Sequence, residues 1–160
     1  MDFIVQLLVT RNGFDAIVVF MDRLTKRVIF CPTNTSVTAP EVVKIFFTNV
    51  FRHHGLPKVI ISDRDAKFTS HFWKTLFHQL GTKLSMSTAF HSQTDGQTER
   101  MNRTLEEILR AYSIYNQDLW NEYLSATKFA YNNSKQVFTE YTSFELDSGQ
   151  HLTTPISLLS

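Results

Sequence analysis

Apolar positions in the first third of the chain fall in short runs of strand length. Asp2–Val9 and Asp15–Asp22 read as strands, the second built on Ala16-Ile17-Val18-Val19-Phe20-Met21, a run suited to burial on both faces of a sheet. Arg11-Asn12-Gly13 between them supplies turn chemistry tolerant of positive φ. Arg27–Pro32 makes a third short strand, and the three predict an antiparallel meander. The period then changes. Thr38-Ala39-Pro40-Glu41 is a capping box with Pro in the first turn, and Val42, Val43, Phe46, Phe47, Val50 and Phe51 recur at helical spacing until Gly55 and Pro57. Lys58–Asp63 is a buried strand ending on a carboxylate. Phe72, Trp73, Leu76, Phe77 and Leu80 form a second helix closed by Gly81, and Lys83–Ser87 is a fifth strand. A polar loop from Thr88 to Asp95 leads into a long helix striped by Met101, Leu105, Ile108, Leu109 and Tyr112. Asp118 is expected to cap a last helix that runs to about Asn133. The order βββαβαβαα predicts an α/β layered fold with a mixed sheet.

Composition narrows the class. A chain of 160 residues with 42% hydrophobic positions fits one domain with a core of its own, and 14 Phe against 5 Gly and 4 Pro argues against disorder. Apolar stretches such as Ile17–Met21 fall far short of the ~20 residues a membrane helix needs, and no signal-peptide pattern opens the chain. A single cysteine, Cys31, excludes an internal disulfide or a multi-cysteine zinc site and reads as a small buried hydrophobe. The triplets at Asn34, Asn102 and Asn132 match the glycosylation sequon, a pattern common by chance. A net charge of +1 argues neither for nor against a nucleic-acid partner.

Candidate chemistry starts at Asp63. It ends a strand expected to lie centrally, and ligand sites in open α/β sheets gather at the carboxyl ends of such strands. The same Asp in Ser62-Asp63-Arg64-Asp65 also makes good turn chemistry. Glu99, Asn102, Arg103, Glu106 and Arg110 share one helix face, which reads equally as a solvated polar face or as a phosphate-facing one. If the strand opening at Asp2 lies mid-sheet, Asp2, Asp63 and Glu99 converge. Three such carboxylates repel unless a cation neutralises them, and hard oxygen donors suit Mg²⁺ or Mn²⁺. Two such ions can clamp the attacking and leaving oxygens of a phosphoryl transfer. Spacing alone does not choose this trio among 15 acidic residues.

Context chooses it. Ser62-Asp63-Arg64-Asp65-Ala66-Lys67-Phe68-Thr69-Ser70-His71-Phe72-Trp73 and His91-Ser92-Gln93-Thr94-Asp95-Gly96-Gln97-Thr98-Glu99-Arg100-Met101-Asn102-Arg103 closely resemble the integrase catalytic core of gypsy-type LTR retrotransposons, within the retroviral integrase superfamily. Met1–Ile4, Met21–Lys26, His54-Gly55-Leu56-Pro57 and Ala130–Ser134 match as well. The 35 residues between Asp63 and Glu99 equal the family's D,D-35-E spacing.

The resemblance implies a ribonuclease H-like three-layer fold with a five-stranded mixed sheet in the order 3-2-1-4-5, flanked by helices. It implies metal-dependent 3′-end processing and DNA strand transfer. Asp2, Asp63 and Glu99 are then both the catalytic residues and the ligands of two Mg²⁺ (or Mn²⁺) ions. Gln93, Asp95, Asn102 and Arg103 fall where the family contacts nucleic acid, and Asp65 lies two residues past the family's position. The partners implied are double-stranded DNA and a second copy of the chain, with no membrane; integration would place the protein in the nucleus. Residues 1–146 are expected to form the core and 147–160 a poorly ordered tail. Ser92 and Ser143 stand where the family usually has Pro. One Cys cannot furnish the family's amino-terminal zinc module, the carboxy-terminal module is missing as well, and a first strand starting at Asp2 is expected to fray. Two other readings remain: a silent or host-adopted nucleic-acid-binding module, and a plain ribonuclease H.

Overall fold

A computed structural model describes residues 1–86, 103–105, 107, 117–136, 139–150 and 152–153. Strand β1 (Asp2–Ile4) pairs antiparallel with β2 (Ala16–Met21), which pairs antiparallel with β3 (Val28–Thr33). Strand β4 (Val59–Ser62) pairs in parallel with β5 (Lys83–Met86). The two ladders meet at Met1, whose amino nitrogen donates to the Ile61 carbonyl at 2.6 Å.

Helices lie on both sheet faces, and the strand alternation sorts the core accordingly. Val18, Phe20 and Cys31 point to one side, where α1 (Ala39–Phe46) and α4 (His71–Gln79) bring Val42, Val43, Phe46, Trp73 and Phe77. Phe68, from the short helix α3 (Ala66–Thr69), joins them. Ile4, Ile17, Val19, Val28 and Phe30 point to the other side, against Leu105 and against Trp120 and Leu124 of α5 (Trp120–Asn133). The central β2 is therefore buried on both faces from Ala16 to Phe20, as its continuous apolar run predicts. Aromatic contacts tie the first layer together, among them Phe46 edge-on to Phe77 at 5.2 Å and Trp73 against Phe77 at 4.5 Å. A final helix, α6 (Ser143–Ser148), opens on a capping box between Thr142 and Glu145 and runs across position 146. Arg27 pairs there with Asp147.

Several local expectations change. The first strand ends at Ile4 rather than Val9, because Gln6 takes φ 63°, a left-handed conformation that breaks the ladder although apolar residues continue. The helix after Pro40 does not keep its α pitch: Phe47–Phe51 winds as a π-helix before α2 (Arg52–His54) and the stop at Gly55, φ 73°. The five strands run as three plus two, since β1 enters at Asp2 and only the nitrogen of Met1 reaches β4. Asp118 does not cap α5. It lies in a 3₁₀ turn (Gln117–Leu119) and pairs with Arg11 at 2.5 Å, so a partner 107 residues away outcompetes the local cap.

Candidate active site

Two of the three expected carboxylates meet. Asp2 opens β1, and Asp63 follows the last residue of β4; both line one open concavity of about 1080 Å³. Local packing holds each in place. Met1 and Phe3, flanking Asp2, pack into the first core layer, with Phe3 stacked on Phe68 at 5.0 Å. The Lys67 ammonium lies over the Phe3 ring, 4.7 Å from its centroid. The Phe3 N–H donates to Asp2 Oδ1 at 2.8 Å. Asp63 accepts from the Asp65 N–H at 3.2 Å, so its turn-forming and cavity-facing roles coexist.

Asp65 itself is structural. Its carboxylate caps α3 by accepting from the Lys67 N–H at 2.8 Å and pairs with the Lys67 ammonium at 3.3 Å. The carboxyl of Asp63 is pushed above its ordinary range, chiefly by burial, with the charges of Asp2 and Asp65 adding to it and the Asp65 N–H opposing. Burial also lowers the Met1 amino group, against the pull of Asp2 and Asp63.

Glu99, Gln93, Asp95 and Asn102 lie outside the described residues. Among the described residues no three His, Cys, Asp or Glu side chains come together as a metal group. Arg103 is exposed on a helical turn, with its Nε 3.1 Å from Glu107, an i,i+4 surface pair. His54 borders the concavity, while His53, His71 and His78 are exposed surface residues. Trp120 is core, its indole N–H donating to the Leu8 carbonyl at 2.7 Å, and Phe129 packs on Phe144 at 5.6 Å. One residue gained a role that sequence reasoning did not assign: the buried Asn132 amide binds both polar groups of Val28 in β3, at 2.8 and 3.0 Å. The only signal for it was the Ala130–Ser134 match.

No protein-family profile matches the chain. The Tf2-3 and Tf2-4 transposon polyproteins of Schizosaccharomyces pombe are each 37% identical over 146 residues, 91% of this chain and 11% of the polyprotein. The chain thus spans about a tenth of the length of those relatives. Among solved structures, a chain of the simian T-cell lymphotropic virus intasome in complex with the PP2A regulatory subunit B56 gamma matches over 96% of this chain and 55% of its own length, with TM-score 0.75 and 18% identity. The HTLV-2 integrase catalytic core, solved with magnesium in a trimeric form, matches over 90% of this chain and 92% of that core, with TM-score 0.68 and 16% identity. The BIV integrase core matches over 91% and 90%, with TM-score 0.67 and 20% identity. Fold and site together define a ribonuclease H-like α/β domain with paired carboxylates at adjoining strands. The chain has the fold of the retroviral integrase catalytic cores, and nine-tenths of its length is similar to part of the Tf2 transposon polyproteins.

Proposed function

We propose that this domain is the catalytic core of a retrotransposon integrase, performing metal-dependent 3′-end processing of element DNA and strand transfer into a target duplex. The observation that carries the reading is the convergence of Asp2 and Asp63 from two separate strands onto one concavity, with Asp63 held against its own ionisation. Glu99 supplies the third carboxylate. The strands adopt the order 3-2-1-4-5, supported by the Met1–Ile61 hydrogen bond between β1 and β4.

The donor set fits Mg²⁺ or Mn²⁺: these are oxygen-only ligands, and a cation relieves the mutual repulsion of carboxylates gathered at one site. Asp2, Asp63 and Glu99 would hold two ions, which when bound would supply Lewis-acid activation and charge neutralisation for phosphoryl transfer. The chain's own contribution is placement. Phe3 on Phe68 fixes the strand that carries Asp2, and the Asp65 N–H orients the carboxylate of Asp63. Gln93, Asp95, Asn102 and Arg103 flank the bound DNA, and exposed Arg103 contributes through phosphate contacts that make binding salt-sensitive. Residues 1–146 form the functional core, two copies act on two DNA ends, and the reaction takes place in the nucleus.

The test is disintegration of a branched DNA substrate by the purified chain in Mn²⁺ and in Mg²⁺, beside Asp63→Asn and Glu99→Gln. Metal-dependent joining should appear in the parent and vanish in both variants. Equal joining in the variants overturns the assignment of these residues. DNA binding that ignores metal, with no strand cleavage by the folded chain, overturns the enzymatic reading in favour of a binding module.

A further inference from the structure

Lys67 stands where helix formation gives it no reason to be. It is the second residue of α3, at the helix end whose partial charge is positive and disfavours a cation. Its side chain is nonetheless only 20% exposed. Fixing a flexible lysine stem costs rotamer freedom, so the contacts of its ammonium must account for its placement.

One contact is local. The ammonium lies 3.3 and 3.4 Å from the two carboxylate oxygens of Asp65, the residue that caps α3. The other is distant in sequence: the same ammonium stands 4.7 Å from the centroid of the Phe3 ring in β1. Phe68, next along the chain, stacks on that ring at 5.0 Å. Two consecutive side chains of α3, one charged and one apolar, therefore grip β1 at Phe3.

Contacts lead from Lys67 to both carboxylates of the site. On one side the Asp65 N–H donates to Asp63 Oδ1 at 3.2 Å. On the other the Phe3 N–H donates to Asp2 Oδ1 at 2.8 Å. Asp2 and Asp63 belong to different strand ladders, and Lys67 stands between the residue that orients each of them.

We propose that Lys67 is a positioning residue: by holding the Asp65 carboxylate and the Phe3 ring at once, it sets the separation at which Asp2 and Asp63 meet a divalent cation. This rests on the metal-dependent reading given above. Lys67 acts through Asp65 and Phe3 and needs no contact with metal or DNA. The sign of its effect separates placement from field. A nearby positive charge repels a cation, so by field alone its deletion tightens metal binding. Loss of placement weakens it.

The experiment measures Mn²⁺ binding to the full chain by titration calorimetry and by the paramagnetic resonance signal of free Mn²⁺, with Tm recorded in chelator. The parent is compared with Lys67→Met, Lys67→Arg and Asp63→Asn. Met keeps an apolar stem beside the Phe3 ring without the charge, whereas Arg pairs with a carboxylate and stacks on a ring as Lys67 does. The cap on α3 uses the Lys67 backbone N–H, which neither substitution removes. Lys67→Met should weaken Mn²⁺ binding about 10-fold, the cost typical of losing a group that orients a metal ligand. Lys67→Arg should stay within about 2-fold of the parent, Tm in chelator should be the same in all three, and Asp63→Asn should abolish binding. Unchanged or tighter binding by Lys67→Met, with binding lost in Asp63→Asn, overturns the positioning role and leaves the metal reading standing. Undiminished binding by Asp63→Asn overturns both. A fall in Tm that accompanies weaker binding in Lys67→Met and Lys67→Arg alike overturns positioning in favour of a purely structural contact.

Discussion

Replacing Asn132 by Ala isolates one buried side chain that does the work of a strand. In the folded chain its amide accepts from the Val28 N–H at 2.8 Å and donates to the Val28 carbonyl at 3.0 Å, across 104 residues of sequence. Both residues are buried, Val28 at 0% exposure and Asn132 at 2%. Truncation strands two backbone groups away from water, and each such group costs about 1–3 kcal/mol. Allowing for partial relaxation, the loss is about 3 kcal/mol. That is a large share of the ~5–15 kcal/mol typical of a whole domain. At roughly 2–4 °C per kcal/mol for a domain of this size, Tm should fall by about 6–12 °C. Urea unfolding followed by tryptophan fluorescence, with Trp120 in the same layer, measures the change directly. Asn132→Asp serves as control. It keeps the acceptor for the N–H but sets a carboxylate against a carbonyl, so it should be no better than Ala. A loss below about 1 kcal/mol with unchanged m-value would refute the argument.

Other expectations follow from the same contacts. Asp63→Asn should raise the urea midpoint at pH 7 in chelator, because Asp63 is pushed up by burial and by Asp2 and its ionised form opposes folding; added Mg²⁺ should erase the advantage by stabilising only the parent. Asp15 is held below the ordinary carboxylate range by the Thr35 hydroxyl and N–H, and Glu41 by the Thr38 N–H and hydroxyl. Their folded values lie below their unfolded ones, so their contribution is present above about pH 4 and fades as pH falls further. Asp15→Asn should flatten the acid limb of a stability–pH curve. Cys31, its thiol pushed by burial up to about 12, should resist a disulfide reagent at pH 8 until urea unfolds the chain.

Legibility in the sequence followed the range of the interaction. The run Ala16–Met21, the box at Thr38–Glu41 and the stops at Gly55 and Gly81 are local chemistry, and each stands where the pattern puts it. The meeting of Asp2 and Asp63 was also legible, because it needs only strand order. What escaped depends on distant partners or single dihedral angles. Gln6 turns left-handed within an apolar stretch whose pattern still reads as strand. The π-helical winding of Phe47–Phe51 leaves apolar spacing almost unchanged. Asp118 has good cap chemistry but is drawn to Arg11, and Asn132 resembles a sequon until β3 is set beside it.

That last pairing bears on solubility. β3 is an outer strand, and Val28, Phe30 and Pro32 address its open side by the alternation that points Val28 to Asn132. At Val28 both polar groups are occupied by a side chain, and at Pro32 there is no N–H to offer. Among the described residues of this edge, a neighbouring molecule that tried to extend the sheet would find only Phe30 with both a donor and an acceptor to give. The domain carries a built-in terminator against edge-to-edge polymerisation, written in one asparagine and one proline.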